Sequence, residues 1–310
     1  MASIKVMGHC PPDTDSTCSP ISYAWFLKTI KGMDVEAVIG GGLNKEAQFV
    51  LSHFGLETPQ MIESVTEGDK LVIIDTNNPE ELITGWDKAE IIEIVDHHKL
   101  YGLKTPNIPS VTIKPYGCVA TVLWEIMTEA HDKLPKEIAG LMAACIISDT
   151  LNLTSPTTTE KDRQALTHLV SVAGIDIASF SKEMFAAKSN LDGLTDEQIL
   201  LTDAKDFEFG GALYKIGVLE TTAPEQALAK KEALVAAMNT LKQKENLAGM
   251  MFFVVDIIQS SAVLLTSGEE DLTLAQKAFS VTADNGVLVL PGIVSRKKQI
   301  VPAFEKIFNS

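Results

Sequence analysis

The chain has 310 residues, 45% of them hydrophobic and 22% charged, with 26 basic against 41 acidic side chains and a formal charge of −15. This is the composition of a soluble globular chain long enough for two domains of unequal size. It opposes non-specific binding to nucleic acid or anionic lipid, yet admits an anionic substrate where metal or a local basic cluster inverts the field. No apolar run approaches the ~20 residues of a membrane span, and the N-terminus enters a strand pattern without a leader-like basic and apolar stretch, so a cytoplasmic protein is expected.

The first half alternates between two periodicities. "SIKVMG" (3–8) reads as a strand and "TCSPISYAWFLKTIKG" (17–32) as a helix with Gly32 as its C-cap, which leaves Asp13 and Asp15 on a loop. "DVEAVIGG" is strand-like and "NKEAQFVLSHFG" helical, and "KLVIIDT" (70–76) and "IIEIVDH" (91–97) are β-rich apolar runs. "CVATVLWEIMTEAH" and "KEIAGLMAACIIS" are helical, and "TTTEKDRQALTHLVSVAG" opens with Thr157 and Glu160 at capping-box spacing. Strands alternating with helices predict a doubly wound, mostly parallel sheet.

The pattern changes at "AKSNLDGLTDEQ", a polar stretch around Gly193. Beyond it come a hairpin about Gly210-Gly211, one long helix "APEQALAKKEALVAAMNTLKQKE" (223–245), and the strands "MMFFVVDII", "SAVLLTS" and "GVLVLPGIV". The expected division is a domain over residues 1–188, a linker at 189–194 and a smaller mixed α/β domain over 195–310. The four cysteines are scattered without C-x-x-C spacing and read as reduced thiols. Gly40–Gly42 lacks nucleotide-loop spacing and reads as a turn; His53, His131 and His168 read as surface residues and Met251–Phe253 as core.

The chemistry gathers at the ends of the apolar runs. His9 ends the first, Asp75 ends "KLVIID", and Asp96, His97 and His98 end "IIEIVDHH"; Asp13 and Asp15 follow the first strand, and Asp149 follows the helical "AACIIS". In an open parallel sheet, ligands bind beyond the carboxyl ends of the strands, so these side chains share one rim. Taken singly, a His-x-x-x-Asp-x-Asp loop is a solvated turn and an aspartate at a strand end is a helix cap. Together they are ligands enough for two cations sharing a carboxylate. A mixed His/Asp set suits Mn²⁺, Co²⁺, Fe²⁺ or Mg²⁺ rather than the sulfur-seeking metals.

"GHCPPDTDS" near the N-terminus and "DHH" after an apolar strand resemble the DHH phosphoesterase superfamily. "VDHHK", "KPYGCVATVL", "EIAGLMAACIISDT", "TSPTTTEKD", "DAKDF" and "GIVSRKKQIVPAF" narrow this to a resemblance to the family II, manganese-dependent, inorganic pyrophosphatases over nearly the whole chain. The resemblance implies a DHH domain followed by a DHHA2-like domain, hydrolysis of pyrophosphate, two Mn²⁺ (with Co²⁺ an alternative and Mg²⁺ accompanying the substrate), and a homodimer. By motif, His9 and Asp13 would bind one metal and Asp15, His97 and Asp149 the other, with Asp75 bridging. His98 would lie near the substrate, Lys205, Arg296 and Lys297 would hold the phosphates, and Asp96 would orient a ligand. Two departures stand out: Pro11 where the family commonly has Asn, and Thr76 where many members have His. No extra length for a nucleotide-sensing insert is present, so the unregulated form is implied.

Pyrophosphate offers no carbon for attack. Its hydrolysis needs an activated water and stabilisation of the departing phosphate, which two cations about 3.5–4 Å apart and a Lys/Arg clamp supply. Another DHH phosphoesterase, acting on oligonucleotides, a nucleoside bisphosphate or polyphosphate, is the alternative within the superfamily. Aromatic residues at 6% and the acidic balance weigh against nucleic acid.

Overall fold

A computed structural model describes residues 3–308, apart from the side chains at 297 and 298. The chain divides into two compact units between Ala187 and Lys188.

The first unit carries a six-stranded parallel sheet. Its strands are β1 (Ile4–Met7), β2 (Val35–Ile39), β3 (Gln60–Met61), β4 (Lys70–Ile74), β5 (Glu90–Asp96) and β6 (Ser110–Ile113), in the order β3-β2-β1-β4-β5-β6. The chain winds outward from β1 to β3, then returns to place β4 against the other side of β1. The strand order therefore reverses between β1 and β4, and a crevice opens there beyond the strand ends. Parallel strands covered on both faces need continuous apolar runs, and β4 has Leu71, Val72, Ile73 and Ile74 all fully buried.

The helices are α1 (Thr14–Thr29), α2 (Lys45–His53), α3 (Val119–Ile126), α4 (Lys136–Asp149), α5 (Glu160–Ala173) and α6 (Ile177–Lys188). Residues Ile138 to Ser148 of α4 are all buried, so this helix is apolar on every side and central to the core. Gly140 is needed there because an added Cβ would lie 2.2 Å from the Phe54 ring.

Three local expectations are corrected. Helix α1 starts at Thr14, because the Asp13 carboxylate accepts the Ser16 amide hydrogen bond at 2.9 Å and caps it; Asp15 thus lies in the first helical turn, not on a loop. At its other end the C-cap is Ile30, and Gly32 occupies a later turn at φ 68°. The capping box of α5 is Thr159 with Asp162, two residues beyond the Thr157/Glu160 pair. Asp162 is fully buried and also accepts from Thr121 Oγ1 at 2.6 Å and from the Gly117 amide. These tertiary donors select the inner of two sequence-compatible boxes.

The second unit contains α7 (Asp196–Leu201), β7 (Ala204–Phe209), β8 (Ala212–Thr221), α8 (Pro224–Leu228), α9 (Lys231–Lys244), β9 (Gly249–Asp256), β10 (Ser261–Thr266), α10 (Glu269–Phe279), β11 (Leu288–Pro291) and α11 (Val301–Phe308). Its five strands run β11-β10-β9-β8-β7, antiparallel except for β8 against β9. Gly210 and Gly211, at φ 59° and 79°, form the two-residue turn joining β7 to β8, a conformation that excludes most side chains. Along β9 the side chains alternate between two cores: Met251, Phe253 and Val255 enter one, and Met250, Phe252 and Val254 the other. The expected long helix is two helices, broken at Ala229–Lys230. The fold is thus α/β throughout, a parallel doubly wound unit followed by a mixed one. Among the described residues no helix is long and apolar enough to cross a membrane.

Candidate metal centre

Seven side chains converge where the strand order reverses. His9 and Asp13 lie just beyond β1 and Asp15 in the first turn of α1. Asp75 follows β4, His97 and His98 follow β5, and Asp149 closes α4. Gly8 permits the close approach of β1 to α1, since a Cβ there would stand 2.3 Å from the Ser16 carbonyl oxygen. All of these side chains but the fully buried Asp15 line a cleft of about 610 Å³, together with Thr76, Glu81, Lys99, Tyr101, Tyr116 and Thr157.

Asp75 is at the middle. It is 2% exposed, and its backbone is left-handed at φ 69°, a conformation that is strained for a residue with a Cβ. Its two oxygens face different ways: Oδ2 is 3.8 Å from His9 Nε2, and Oδ1 is 3.2 Å from His97 Nε2. Ser16 Oγ donates to Oδ2 at 2.6 Å, whereas Oδ1, though buried, accepts no hydrogen bond. His9 Nε2 is 3.6 Å from Asp13 Oδ2, and His97 Nε2 is 3.8 Å from Asp149 Oδ2. Two groups of ligand atoms result, His9/Asp13/Asp75 and Asp15/His97/Asp149, each within 4.8 Å of one another; Asp75, His97 and His98 form a third such group.

The histidines are oriented from behind. His9 Nδ1 donates to the Pro11 carbonyl at 2.7 Å and His97 Nδ1 to that of Tyr116 at 3.1 Å, leaving each Nε2 turned towards carboxylates. His98 Nδ1 donates to Asp96 Oδ1 at 2.9 Å, and the same oxygen takes the backbone amides of His97 and His98. Asn77 donates to the other oxygen of Asp96 at 2.5 Å. Asp15 is fixed by Ser19 on one oxygen and, on the other, by the Val119 amide and the Cys118 thiol at 3.0 Å each.

Without cations this site must hold protons instead. Burial, then the charge of Asp15, pushes Asp75 up to about 7. Burial and the charges of Asp15, Asp75 and Asp13 carry Asp149 well above the carboxylate range. Burial works against protonating His9 and His97, yet Asp13 and Asp75 outweigh it and raise both to about 9. A buried carboxylate whose oxygens face imidazole nitrogens, among mutually repelling carboxylates, fits divalent cations of the Mn²⁺ class.

The phosphate-binding candidates lie in the second unit. Lys205 is exposed on the edge strand β7. Arg296 opens a π-helical turn over 296–300 and bonds Asp203. The side chain of Lys297 lies outside the described residues.

Residues 3–146 match the DHH family N-terminal domain and residues 182–307 the DHHA2 domain. A probable manganese-dependent inorganic pyrophosphatase of Deinococcus radiodurans is 37% identical over 310 residues, with 98% of each chain covered. One from Lactobacillus johnsonii is 33% identical over 312 residues, with 100% of each covered. A solved structure, a Methanococcus jannaschii putative family II inorganic pyrophosphatase, superposes with a TM-score of 0.65 at 33% identity, covering 99% of this chain and 100% of that one. The chain belongs to the manganese-dependent inorganic pyrophosphatase family.

Its two departures from the common pyrophosphatase pattern find places in the site. At Pro11 the backbone carbonyl, not the side chain, serves His9. Thr76 is buried and donates to Glu81 Oε2 at 2.8 Å. Ser16, Asn77 and Cys118 escape sequence reasoning as site residues; the signals available were that Ser16 stands next to Asp15 and Asn77 two places from Asp75. A likeness to an exopolyphosphatase-related protein of Bacteroides fragilis, at 14% identity and a TM-score of 0.53, shows shared fold alone.

Proposed function

We propose that this chain hydrolyses inorganic pyrophosphate to two phosphates, holding two manganese ions in the cleft of its first unit. The observation that carries the reading is Asp75, whose two oxygens face His9 and His97 on opposite sides. His9 and Asp13 hold one ion and Asp15, His97 and Asp149 the other, with Asp75 shared. Bound there, the ions supply Lewis acidity and lower the pKa of a water enough to make it a nucleophile at neutral pH. The Nδ1 bonds to Pro11 and Tyr116 keep His9 and His97 in the ligating tautomer. His98, steadied by Asp96, meets the substrate, and its raised pKa, caused first by the hydrogen bond to Asp96, favours the cationic form that an anion attracts. Lys205 and Arg296 bind phosphoryl oxygens, the lysine as a point charge and the arginine as a planar fork. Mg²⁺ accompanies the substrate, and Co²⁺ substitutes for Mn²⁺ on the same N/O donor set.

The test is phosphate release from pyrophosphate, a nucleoside bisphosphate and polyphosphate side by side. Pyrophosphate should be cleaved fastest, chelation should abolish the reaction, and Mn²⁺ or Co²⁺ should restore it. Turnover that survives exhaustive chelation would end the two-metal reading, and preference for another of the three substrates would end the assignment of pyrophosphate.

The chain acts as a cytoplasmic homodimer. Its four cysteines are free thiols, as a reducing compartment maintains them. The edge strand β6 leaves Val111 54% exposed, with Ile108, two residues before the strand, 99% exposed, an apolar edge suited to pairing with a second copy. Light scattering should give twice the monomer mass at micromolar concentration with Mn²⁺ present; a monomer under those conditions would remove the dimer.

A further inference from the structure

Arg296 does not stand alone in the second unit. Its Nη1 donates to the Asp203 carbonyl at 2.6 Å and its Nη2 to Asp203 Oδ1 at 2.7 Å. The Asp203 carbonyl is itself fixed, since it also accepts the Val218 amide at 2.9 Å from the neighbouring strand β8. Arg296 is anchored from its own side as well: Gln299 Oε1 accepts the amides of Val294 and Ser295 at 2.9 Å each, and Gln299 Nε2 donates to the Gly292 carbonyl at 2.6 Å, so the turn leading into Arg296 is stapled. The arginine side chain is only 13% exposed, while that of Asp203 is 52% exposed.

Asp203 lies two residues before Lys205, at the entry to β7, and 93 residues from Arg296 in sequence. One carboxylate and its own carbonyl therefore bring together the two segments that carry the candidate phosphate contacts. A guanidinium has five N–H donors, and the bonds to Asp203 take two, which leaves donors for a second acceptor while fixing the plane in which they lie. An unrestrained arginine carries rotamer entropy that each binding event would otherwise have to overcome.

We infer that Asp203 is a positioning residue for the reaction: it holds the Arg296 guanidinium beside Lys205, so that both cations meet one phosphate of the substrate. The inference rests on the reading of Arg296 as a phosphate contact. The negative charge of Asp203 also lowers the attraction of Arg296 for an anion, so a net benefit from orientation is a substantive claim.

The test is a double-mutant cycle on the full chain with saturating Mn²⁺: wild type, Asp203→Ala, Arg296→Ala and the double variant, with Asp203→Asn as the shape-preserving control. Asp203→Ala should raise KM for pyrophosphate about 10-fold, the equivalent of about 1.4 kcal/mol, with manganese content and kcat nearly unchanged. Asp203→Asn, whose amide oxygen and backbone carbonyl still accept, should recover most of that loss. In the Arg296→Ala background, Asp203→Ala should change nothing further. Equal losses in both backgrounds would make Asp203 a fold element independent of Arg296, and a lowered KM would make it an inhibitory counter-ion; either overturns the inference. Should Asp203→Ala fail to fold, the same comparison is made with Asp203→Asn, whose KM must rise measurably in the wild-type background alone. An Arg296→Ala variant with wild-type KM and kcat would instead overturn the phosphate-contact reading itself.

Discussion

Asp75→Asn should make the metal-free protein more stable and the enzyme inactive. The carboxylate is buried beside Asp15, Asp13 and Asp149, and burial and the charge of Asp15 push its pKa up to about 7. At pH 8 it is therefore mostly ionised in a place that disfavours charge. An amide of the same shape removes that charge, and its oxygen can still accept from Ser16 Oγ, while the pairing of Asp75 with protonated His97 is given up. A gain follows from removing a raised acid, partly offset by the lost pairing with His97. That should appear as a rise of a few degrees in the melting temperature after chelation. Manganese affinity should fall by more than about 100-fold, since altering even an outer partner of a metal ligand reaches that size, and turnover should fall with it. Calorimetry of the chelated variant and elemental analysis after equilibration with manganese measure the two arms. Full metal content would show that Asp75 is not shared between the ions, and an unchanged melting temperature would show that the repulsion is relieved in some other way.

Between pH 6 and 9 the metal-free protein should lose stability, and the manganese form should not. His9 and His97 rise from 6.5 to about 9 on folding, so their protonation stabilises the native state fully below pH 6.5 and is lost as pH passes through about 9. Asp75 rises from 3.8 to about 7, so its penalty also accumulates as pH rises. The signs agree: the native state binds more protons than the unfolded chain throughout this window, and stability must fall with pH. Cations take the place of those protons, so adding Mn²⁺ at pH 7 should release roughly two to three of them. Melting curves across pH with and without chelator, and manganese titrations in buffers of different ionisation enthalpy, test this. A melting temperature that is flat or rising towards pH 9 without metal, or binding with no proton release, would rule out protons as the stand-ins for cations.

The rim of the sheet was legible because parallel strands are apolar and continuous, so a polar residue that ends one is conspicuous. His9, Asp75 and His97 are visible in that way, as is the doubly wound pattern itself. Asp13 and Asp15 read as loop residues because "DTDS" reads equally as a turn; capping of the Ser16 amide by Asp13 decides for helix. The short strands β3 and β6 were not legible. They are two and four residues long and edge-bound, so neither alternation nor a sustained apolar run marks them. The break at Ala229–Lys230 was hidden in a stretch of strong helix formers with no Gly or Pro at the joint. The outer partners Ser16, Asn77, Cys118 and Asp203 were illegible for a different reason: each acts through hydrogen bonds to residues distant in sequence, and no local pattern encodes that.

The left-handed backbone at Asp75 bears on how the site endures through generations of copying error. Aspartate codons lie one base change from those of glycine and asparagine, the two residues that such a backbone best accommodates. Glycine would relax the main chain, and asparagine would relax both the main chain and the buried charge. Mutation thus offers this position two easy exits, each towards a more comfortable fold. Folding stability cannot be what retains aspartate there, and only the use of its two oxygens gives a lineage reason to refuse either step.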